Sequence, residues 1–525
     1  MNKTINYISA LALITPLLSQ GQKLFAINKD QKPNVIFIYA DDMGKGMMSV
    51  YGQTHFRTPN MDKLVKLGVS FNNAYGCHYS APARASLLTG YADTHQGHWL
   101  KTRGNRYCVN DTSKIAPIEK EIDAIEVTLP KGDDYLAQVF NKAGYFTGEI
   151  GKLDYGFLGT RNQIKSHGWQ YFYGFLDHAR CHGFYPSFLF ENNKIVMIDG
   201  NTRADAGCTK AITDEQGQEQ YANDRWNMEG KKQYAQDLFD AKIVEFIRAH
   251  KDEPFFLYHP SQLPHGPVSI PEVSSQVKDD PILTDLEKEY ASMVIRLDET
   301  IGLILDELEK NNILDRTIVV FSADNGHEVY YNVDNRTSSK IDMVTGKKFD
   351  DYTNKTRTEN IHDIFNGNMG MAGLKRSNLE GGVHVPLTYY WKNHLNPRSE
   401  DAIVSNYDFL STMADMLNVS VTSHKTGISY LPVLMKGDSN IPENRYVLVD
   451  SYQGPAIIMN DGWKLRYTNV NGKFELFNLR EDPAEVNDVS KQYPNKVHEL
   501  KEILIHKVTF TSCHGNSIFS QKTLK

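Results

Sequence analysis

The sequence repeatedly places a short, continuously apolar run of strand-forming residues directly before polar or charged side chains. Such runs occupy residues 35–40, 145–150, 255–258 and 317–321. Strands that are apolar along their whole length are buried on both faces, as happens when helices cover both faces of a sheet. The pattern therefore limits the chain to a layered fold built around a buried sheet.

Amphipathic helical patterns lie between these runs, over residues 134–143, 234–250 and 287–310. In the last segment, apolar side chains recur at steps of three and four residues, which gives a helix one apolar face. Strands that alternate with helices predict an α/β fold with a large, mostly parallel sheet flanked by helices. Ligands of such sheets bind beyond the carboxyl ends of the strands, where the polar residues of this sequence fall.

The character of the sequence changes near its C-terminus. Three short β-like runs occupy residues 456–460, 463–470 and 473–479. They are separated by Asp461-Gly462 and Asn471-Gly472, dipeptides that favour hairpin turns. A helical pattern follows over residues 495–506. These features predict a smaller antiparallel β subdomain that ends in a helix and a polar tail.

The first 26 residues predict a secretory signal peptide. Lys3 precedes a broken apolar stretch over residues 5–18, and small and polar residues follow. Because this stretch is too short and too interrupted to span a bilayer, we expect no stable membrane span and a periplasmic or secreted protein. We therefore predict a signal peptide over residues 1–26, a catalytic α/β domain over 27–440 and a C-terminal β-rich subdomain over 441–525.

The charge and residue composition indicate which classes of partner and of chain can be excluded. The chain has 57 Lys and Arg against 64 Asp and Glu, a formal net charge of −7, so nucleic acid is not the expected partner. An anionic ligand would need a locally positive pocket. With 40% hydrophobic and 23% charged residues, the composition excludes disordered, collagen-like and polytopic membrane chains. Five cysteines are an odd number, so a disulfide framework does not hold the fold together.

Two acidic pairs follow predicted strands, Asp41-Asp42 and Asp324-Asn325. Adjacent carboxylates repel each other, and a hard cation that prefers oxygen ligands relieves the repulsion. Since no cluster rich in His or Cys accompanies them, the pattern favours Ca²⁺ or Mg²⁺ over zinc. Either pair alone could instead cap a helix or form a turn. Residues 331–366 lack periodicity and predict a long excursion near this site.

A third motif begins at Ser80, with Pro82 and Arg84 at alternate positions. Pro82 fixes a backbone dihedral just inside a predicted helix start. Ser80 then lies at the amino end of the helix, where backbone amides and the helix dipole attract anions. Arg84, about one turn further on, would face the same spot. A simpler interpretation is an N-cap serine on an ordinary helix.

The run S-x-P-x-R-x-x-x-x-T-G that begins at Ser80 resembles the serine form of the signature of the formylglycine-dependent sulfatases, within the alkaline phosphatase superfamily. Further motifs resemble those of the family in the same order, over about residues 33–490. They are the first metal motif Asp41-Asp42-Met43-Gly44, the lysine motif Gly151-Lys152, the histidine motif Pro264-His265-Gly266-Pro267, the second metal motif Asp324-Asn325-Gly326, the second lysine motif Gly373-Leu374-Lys375-Arg376 with Glu380-Gly381-Gly382, and the C-terminal Glu475-Leu476-Phe477-Asn478-Leu479.

By this resemblance, Ser80 is oxidised after synthesis to formylglycine, an aldehyde that hydrates to a gem-diol. A serine at this position implies a serine-type radical maturase as a partner. The resemblance further implies that Asp41, Asp42, Asp324 and Asn325, together with the modified Ser80, hold a divalent cation, Ca²⁺ with Mg²⁺ as the alternative.

The same resemblance implies the remaining roles. Lys152, Lys375 and Arg84 surround the sulfuryl group with positive charge, the largest contribution to such a reaction. One diol oxygen, activated by the metal and Asp42, attacks sulfur. His265 protonates the leaving alcohol, and the second diol hydroxyl then expels sulfate.

The chain departs from the family pattern in two places. Asp154 stands where many members have a histidine two positions after the first lysine, so we assign Asp154 to the substrate site and leave the base for the last step open. His384 replaces the usual arginine after the Glu-Gly-Gly motif.

Residues 175–190 resemble a His-Tyr-Pro segment of one branch of secreted bacterial sulfatases, and we predict that they form a wall of the substrate pocket. Three of their side chains are predicted to contact substrate: His178, Arg180 and His182. An aromatic core segment is an equally consistent interpretation.

We therefore predict hydrolysis of a sulfate ester on a carbohydrate, with arylsulfatase and choline sulfatase activity left open. One alternative is a phosphomonoester or phosphonate hydrolase of the same superfamily, which an unmodified Ser80 or a pair of zinc ions would favour. The other is an inactive binder of sulfated glycans that keeps Arg84 and the lysines for contact with anions.

Overall fold

The structure is a computed structural model. It describes residues 32–95, 132–152, 161–176, 180–202, 228–332, 340–341, 348–349, 363–422, 424–437, 441–442, 444–451, 453–468 and 472–508. The predicted signal peptide and the predicted polar tail from Thr511 lie outside the described residues. No helix in the described part of the chain is both long and apolar enough to cross a bilayer.

The strands fall into one large sheet and several small ones. In chain order they are β1 (Asn34–Ala40), β2 (Val69–Phe71), β3 (Ala74–Tyr75), β4 (Phe146–Gly151), β5 (Tyr171–Gly174), β6 (Phe188–Glu191), β7 (Lys194–Met197), β8 (Phe255–Pro260), β9 (Thr317–Ala323), β10 (Lys340–Ile341), β11 (Lys348–Phe349), β12 (Leu387–Tyr390), β13 (Arg398–Glu400), β14 (Val404–Ser405), β15 (Tyr446–Val449), β16 (Ala456–Met459), β17 (Trp463–Thr468) and β18 (Lys473–Asn478). Ten of them form one sheet in the order β13-β2-β12-β9-β1-β8-β4-β5-β6-β7.

The centre of the large sheet is parallel and contains the four strands that the sequence predicts. β1 pairs in parallel with β8 and β9, and β4 pairs in parallel with β8 and β5. All seven residues of β1 are buried. Because neighbouring residues of a strand point to opposite faces, both faces of the sheet are covered. The short β12 lies antiparallel between β9 and β2, and the sequence patterns did not predict it.

The helices cover this sheet in two groups. In chain order they are α1 (Pro59–Leu67), α2 (Ser80–Thr89), α3 (Leu136–Lys142), α4 (Arg161–Ser166), α5 (Ala235–His250), α6 (Asp285–Lys310), α7 (Glu380–Val383), α8 (Asp408–Met416), α9 (Leu431–Lys436) and α10 (Pro494–Lys507). Helices α1 and α5 pack against α6, while α2, α3 and α8 pack against one another. The predicted α/β class, with a large and mostly parallel sheet flanked by helices, is confirmed.

The longest helix shows how local sequence sets an element boundary. Helix α6 begins two residues before the predicted start because Thr284 and Glu287 form a capping box. The backbone N–H of Thr284 donates to Glu287 Oε2 at 2.7 Å, and the N–H of Glu287 donates to the Thr284 hydroxyl at 3.3 Å. These two bonds satisfy amide donors that the first turn of a helix leaves without partners.

The C-terminal part forms the predicted antiparallel sheet. Strands β15 to β18 pair with their neighbours in chain order, and Gly462 turns the chain between β16 and β17 with a φ of 94° that favours glycine. This sheet shares a second apolar core with α10, formed by residues such as Ile457, Leu476 and Leu500. The C-terminal antiparallel β region with a helix is therefore confirmed as part of the fold.

Candidate active site

The predicted site residues meet at one edge of the large sheet. Strands β9, β1, β8 and β4 are neighbours and run in parallel, so their carboxyl ends lie side by side. Asp41 and Asp42 follow β1, Asp324 and Asn325 follow β9, and Lys152 follows β4. All five residues are buried.

Hydrogen bonds tie the two acidic pairs to each other. Asp324 Oδ1 accepts from the backbone N–H of Asp42 at 2.9 Å and from that of Asn325 at 2.8 Å. Asn325 Nδ2 donates to Asp42 Oδ1 at 2.8 Å. Asp42 has a φ of 65°, in the left-handed region that non-glycine residues seldom adopt. The backbone is thus held in an uncommon conformation to bring the carboxylates together.

Burial and neighbouring charges shift the pKa values of two of these carboxylates in opposite directions. Burial, and then the charges of Asp41 and Asp42, raise the pKa of Asp324 well above its ordinary value. Burial would also raise the pKa of Asp41, but the ammonium groups of Lys152 and then Lys375 lower it instead. Asp324 is therefore the carboxylate whose negative charge the surroundings disfavour, and a cation beside it would offset that cost.

The donor set fits a hard divalent cation. Asn325 Oδ1 is buried and accepts no hydrogen bond from any residue that the structure describes. Together with the aspartates it offers oxygen ligands, which Ca²⁺ and Mg²⁺ prefer. Single ligand atoms of Asp41, Asp42 and His265 also lie within 4.8 Å of one another. We favour the oxygen set because the lysines bond only to Oδ2 of Asp41 and of Asp42 and leave each Oδ1 for a metal. In His265, by contrast, Lys375 Nζ lies 3.0 Å from Nε2, the one ring nitrogen that Gly266 leaves available.

Ser80 lies beside this acidic group. It is the first residue of α2, after the N-cap residue Tyr79, and its hydroxyl donates to Asp41 Oδ1 at 2.7 Å. The other oxygen of Asp41 forms an ion pair with Lys152. Arg84, one turn further along α2, is only 1% exposed. Burial raises the pKa of Asp41, and the charge of Arg84 joins those of Lys152 and Lys375 in lowering it.

Gly151 gives Lys152 its position. Its φ of 148° lies in a region that disfavours side chains, and a Cβ there would come within 2.3 Å of the Pro260 carbonyl oxygen. The strand can therefore end against β8, where the N–H of Lys152 donates to the Pro260 carbonyl at 2.7 Å. A steric requirement therefore explains why glycine precedes Lys152 in the sequence.

His265 and Lys375 meet at Asp42. Lys375 Nζ donates to Asp42 Oδ2 at 2.6 Å, and His265 Nε2 lies 3.2 Å from the same oxygen. His265 Nδ1 bonds to the Gly266 carbonyl; because a carbonyl only accepts, Nδ1 carries a hydrogen and Nε2 is the nitrogen that can gain or lose one. Burial lowers the pKa of Lys375, although Asp42 opposes this effect.

The sequence reasoning missed several residues of the site. Tyr330 donates its hydroxyl to Asp42 Oδ2 and lies against both His265 and Lys375. Behind it, the Tyr331 hydroxyl donates to Asp363 at 2.5 Å and lies 2.7 Å from His327 Nε2. Neither tyrosine belongs to a motif. The only available signal was their position a few residues after Asp324-Asn325.

The predicted substrate-contacting residues have different surroundings. The ring of His182 stacks on that of His265, with centroids 4.2 Å apart. Arg180 is buried, with its guanidinium 3.6 Å from the centroid of the Phe188 ring, so this side chain takes part in aromatic packing. His178 and Asp154 lie outside the described residues.

The fold and site define a hydrolase of the alkaline phosphatase superfamily. The chain belongs to the sulfatase family, whose model matches residues 33–419, and it is a sulfuric ester hydrolase. A second model, described as N-sulphoglucosamine sulphohydrolase, C-terminal, matches residues 370–509. The resemblance found in the motifs is thereby confirmed.

Individual relatives are distant but cover most of the chain. An N-acetylgalactosamine-6-O-sulfatase of Bacteroides thetaiotaomicron is 26% identical over 96% of this chain and 98% of its own length. The human N-acetylgalactosamine-6-sulfatase is 25% identical, over 78% of this chain and 66% of its own. Among solved structures, Ps i-CgsB in complex with k-i-k-neocarrahexaose has a TM-score of 0.64 and 25% identity, covering 91% of this chain and 92% of the other.

Proposed function

We propose that the protein hydrolyses a sulfate ester on a carbohydrate, using a formylglycine derived from Ser80 and a divalent cation, Ca²⁺ or Mg²⁺. The observation that carries this proposal is the 2.7 Å hydrogen bond from Ser80 Oγ to Asp41 Oδ1. It joins the residue at the amino end of α2 to the buried acidic group, so that a nucleophile at this position and a cation on the aspartates would be neighbours.

The cationic side chains suit the charge that develops in the reaction. Cleavage of a sulfate ester moves negative charge onto the bridging oxygen while the sulfuryl group stays anionic, so fixed cations stabilise the transition state. Lys152, Lys375 and Arg84 are each less than 5% exposed. In such a water-poor site their charge is weakly screened.

Asp41 is the carboxylate that contacts the nucleophile. When bound, the cation supplies further positive charge beside the sulfuryl group, and formylglycine, as its hydrate, supplies the hydroxyl that attacks sulfur. The family resemblance suggested Asp42 as the activating carboxylate. Since Ser80 bonds to Asp41 Oδ1, while Asp42 Oδ2 accepts from Lys375 and Tyr330, we assign the orientation of the nucleophile to Asp41.

His265 is the proposed proton donor to the leaving alcohol. Its Nδ1 is fixed on the Gly266 carbonyl, so the proton leaves from Nε2. This nitrogen lies 3.0 Å from Lys375 Nζ, which keeps the acid next to a cation of the sulfate site. General acid catalysis of this kind contributes about 10²- to 10⁴-fold.

The names of the relatives support a sulfated sugar as substrate. One acts, by its name, on N-acetylgalactosamine-6-O-sulfate, and one solved structure holds a neocarrahexaose. His182, which stacks on His265, is the described residue best suited to the pocket wall, and we keep His178, Arg180 and Asp154 as proposed substrate contacts. A panel of mono- and disaccharides sulfated at defined hydroxyls, with a carrageenan oligosaccharide, identifies the substrate.

Mass spectrometry of the Ser80 peptide tests the mechanism. After co-expression with a serine-type radical maturase, formylglycine appears as a loss of about 2 Da. Ser80→Ala should abolish turnover and keep binding of the sulfated ligand. Turnover of sulfate esters with Ser80 unmodified would contradict the mechanism.

The same experiment separates the alternatives. Hydrolysis of a phosphomonoester or phosphonate by protein with unmodified Ser80 would favour the related hydrolase activity. Binding of sulfated glycans without turnover, despite verified formylglycine, would favour the inactive binder.

We also propose that the protein is exported to the periplasm or secreted, because of the signal-peptide pattern over residues 1–26. Fractionation of cells that express the full chain tests this proposal. Retention of an uncleaved chain in the cytosol would contradict it.

A further inference from the structure

Tyr330 contacts three residues of the proposed site. They are the proposed acid His265, the proposed metal ligand Asp42 and the sulfate-site lysine Lys375. The Tyr330 hydroxyl donates to Asp42 Oδ2. The hydroxyl oxygen of Tyr330 also lies 3.0 Å from His265 Nε2 and 3.2 Å from Lys375 Nζ. One phenol therefore bridges three functional side chains that come from three separate segments of the chain.

The ring of Tyr330 is fixed against the histidine motif. The side chain is 9% exposed, and a Cβ on Gly266 would come within 2.2 Å of its ring. Its ring centroid is 5.0 Å from that of His265. Because Gly266 directly follows His265, the absence of a side chain there lets the tyrosine ring pack beside the imidazole.

Tyr331, the next residue, holds the turn that contains Tyr330 in place. Tyr331 follows in the same 3₁₀ turn, Tyr330–Asn332, and its hydroxyl bonds to Asp363 at 2.5 Å. The backbone N–H groups of Phe365 and Gly367 donate to the same carboxylate at 2.9 and 2.8 Å. The position of the Tyr330 hydroxyl is thus set by the surrounding structure and not by its own three hydrogen bonds alone.

Hydrogen-bond chemistry defines what this phenol does. A tyrosine hydroxyl has one hydrogen to donate and lone pairs to accept. With its hydrogen on Asp42, the oxygen accepts from the ammonium of Lys375 and presents an acceptor to the Nε2 edge of His265. In the protonated imidazole, which is the form that acts as the acid, both ring nitrogens carry hydrogens. Nδ1 then donates to Gly266 and Nε2 to the Tyr330 oxygen, which fixes the direction in which Nε2 points.

We propose that Tyr330 is a positioning residue that holds His265 Nε2 in place for protonation of the leaving alcohol. This inference rests on the proposed sulfatase mechanism. Misplacing a reacting group by about 1 Å costs up to about 10²-fold in rate. Losing the phenol should therefore lower turnover through His265, and not through the substrate affinity or the cation.

A double-mutant cycle on a sulfated sugar tests the proposal. Tyr330→Phe removes the hydroxyl and keeps the ring. We expect it to lower kcat by about 10- to 100-fold in the native background, with KM nearly unchanged, and by less than about 3-fold in the His265→Ala background. An equal loss in both backgrounds would overturn the proposal, since a role through Asp42 or through the fold does not depend on His265.

Leaving-group dependence gives a second readout. A nitrophenolate departs with little need of a proton, whereas a sugar alkoxide needs one. Tyr330→Phe should therefore slow an aryl sulfate less than a sulfated sugar. Tyr145→Phe is the matched control, because it removes a buried phenol hydroxyl that donates to the Pro33 carbonyl at 2.7 Å, and it should change the rates of both substrates by the same factor.

Controls separate the inference from the proposed function. Thermal unfolding with and without Ca²⁺ should give the same cation-induced shift for Tyr330→Phe as for the native protein. A native protein that carries formylglycine but turns over no sulfate ester would overturn the proposed function and, with it, the role of Tyr330. An active native protein whose Tyr330→Phe variant keeps full turnover would overturn the role of Tyr330 alone.

Discussion

The proposed active site and the junction between the large sheet and the C-terminal sheet each bury carboxylates together with lysine. At the junction, Lys464 Nζ lies 2.9 Å from Glu380 Oε1 and 3.0 Å from Glu485 Oε1. Tyr75 donates to Glu380 Oε2 at 3.0 Å, and the N–H of Glu380 donates to Glu485 Oε2 at 2.7 Å. Three of the four carboxylate oxygens of this junction cluster, formed by Tyr75, Glu380, Lys464 and Glu485, accept a hydrogen bond. The fourth, Glu485 Oε1, lies beside the Lys464 ammonium.

The proposed active site differs in having a buried amide oxygen without a donor among the described residues. Asn325 Oδ1 accepts nothing from the described residues, and the pKa of Asp324 is raised by burial and then by its neighbours Asp41 and Asp42. Burial also raises the pKa of Glu485 at the junction, but there the Lys464 ammonium is the next influence and opposes the shift, whereas at Asp324 two neighbouring carboxylates add to it. Changes at the junction should therefore affect stability, and changes at the active site should affect activity.

Removing one active-site carboxylate is expected to have the largest effect. Asp324→Asn should lower turnover by more than about 100-fold, because it removes a charge that the transition state and the cation both need. Stabilisation by Ca²⁺ in thermal unfolding should also disappear. The cation-free variant should be at least as stable as the native protein, since burial already favours the neutral form of Asp324.

Asp298→Asn is the matched control for that variant. Asp298 is also buried and accepts from the backbone N–H of Met61 at 2.7 Å, but it lies in α6, away from the acidic group. Its response to Ca²⁺ should equal that of the native protein. Loss of the Ca²⁺ response in both variants would contradict the placement of the cation at Asp324.

At the junction, the expected effect is on stability. Lys464→Met leaves Glu380 and Glu485 buried without their common cation, and breaking a buried ion pair in this way costs about 3 to 5 kcal/mol. Urea unfolding followed by the fluorescence of the neighbouring Trp463 measures the loss. Adding Glu485→Gln should recover part of it, and turnover per folded molecule should stay native. A variant with native stability would mean that the ion cluster is not what secures the junction.

The parts of this comparison that the sequence predicted are those with regular patterns. The apolar runs that lead to Asp41 and Asp324 predicted parallel strands, and parallel strand ends share one edge of a sheet. The structure brings those residues together for that reason. Helix α6 was predicted to within two residues by its periodicity, because one face packs on the core along its whole length.

Other parts depend on contacts that leave no local pattern. Tyr330 reaches His265 across 65 positions in sequence, and nothing around it marks a tyrosine as buried. Strand β12 has only four residues, too few for a periodicity, and its antiparallel place between β9 and β2 is set by tertiary pairing. The junction cluster likewise joins Glu380 to Glu485 over a separation that no spacing rule covers.

The buried side chain of His384 makes the stability of the fold depend on pH. Burial, and then the charge of Lys45, lower the pKa of His384 from 6.5 to about 4, with Lys464 acting in the same direction and Glu380 and the Asn72 carbonyl opposing. Because the folded pKa is depressed, the unfolded chain binds the proton first as pH falls. The stability that His384 contributes is present above pH 6.5 and is lost as pH falls toward 4.

The size of this loss follows from the two pKa values. At about 1.4 kcal/mol per pH unit, the difference between 6.5 and about 4 corresponds to about 3 kcal/mol. In His384→Gln, whose amide can still donate to the Asn72 carbonyl, the decline between pH 6.5 and 4 should be smaller by that amount. Urea midpoints across this range measure it, and parallel curves for the two proteins would show that His384 is not the group responsible.

An exposed pair of the same chemistry should show the smallest effect. Lys392 lies 3.1 Å from Glu309, with side chains 39% and 59% exposed, so water already solvates both charges. Lys392→Ala should leave the urea midpoint unchanged within error, whereas Lys464→Met, which removes the same ammonium from a fully buried position, should lower it clearly. If the two variants lost equal stability, burial would not be what separates structural charge from surface charge in this protein, and the contrast between junction and active site would lose its physical basis.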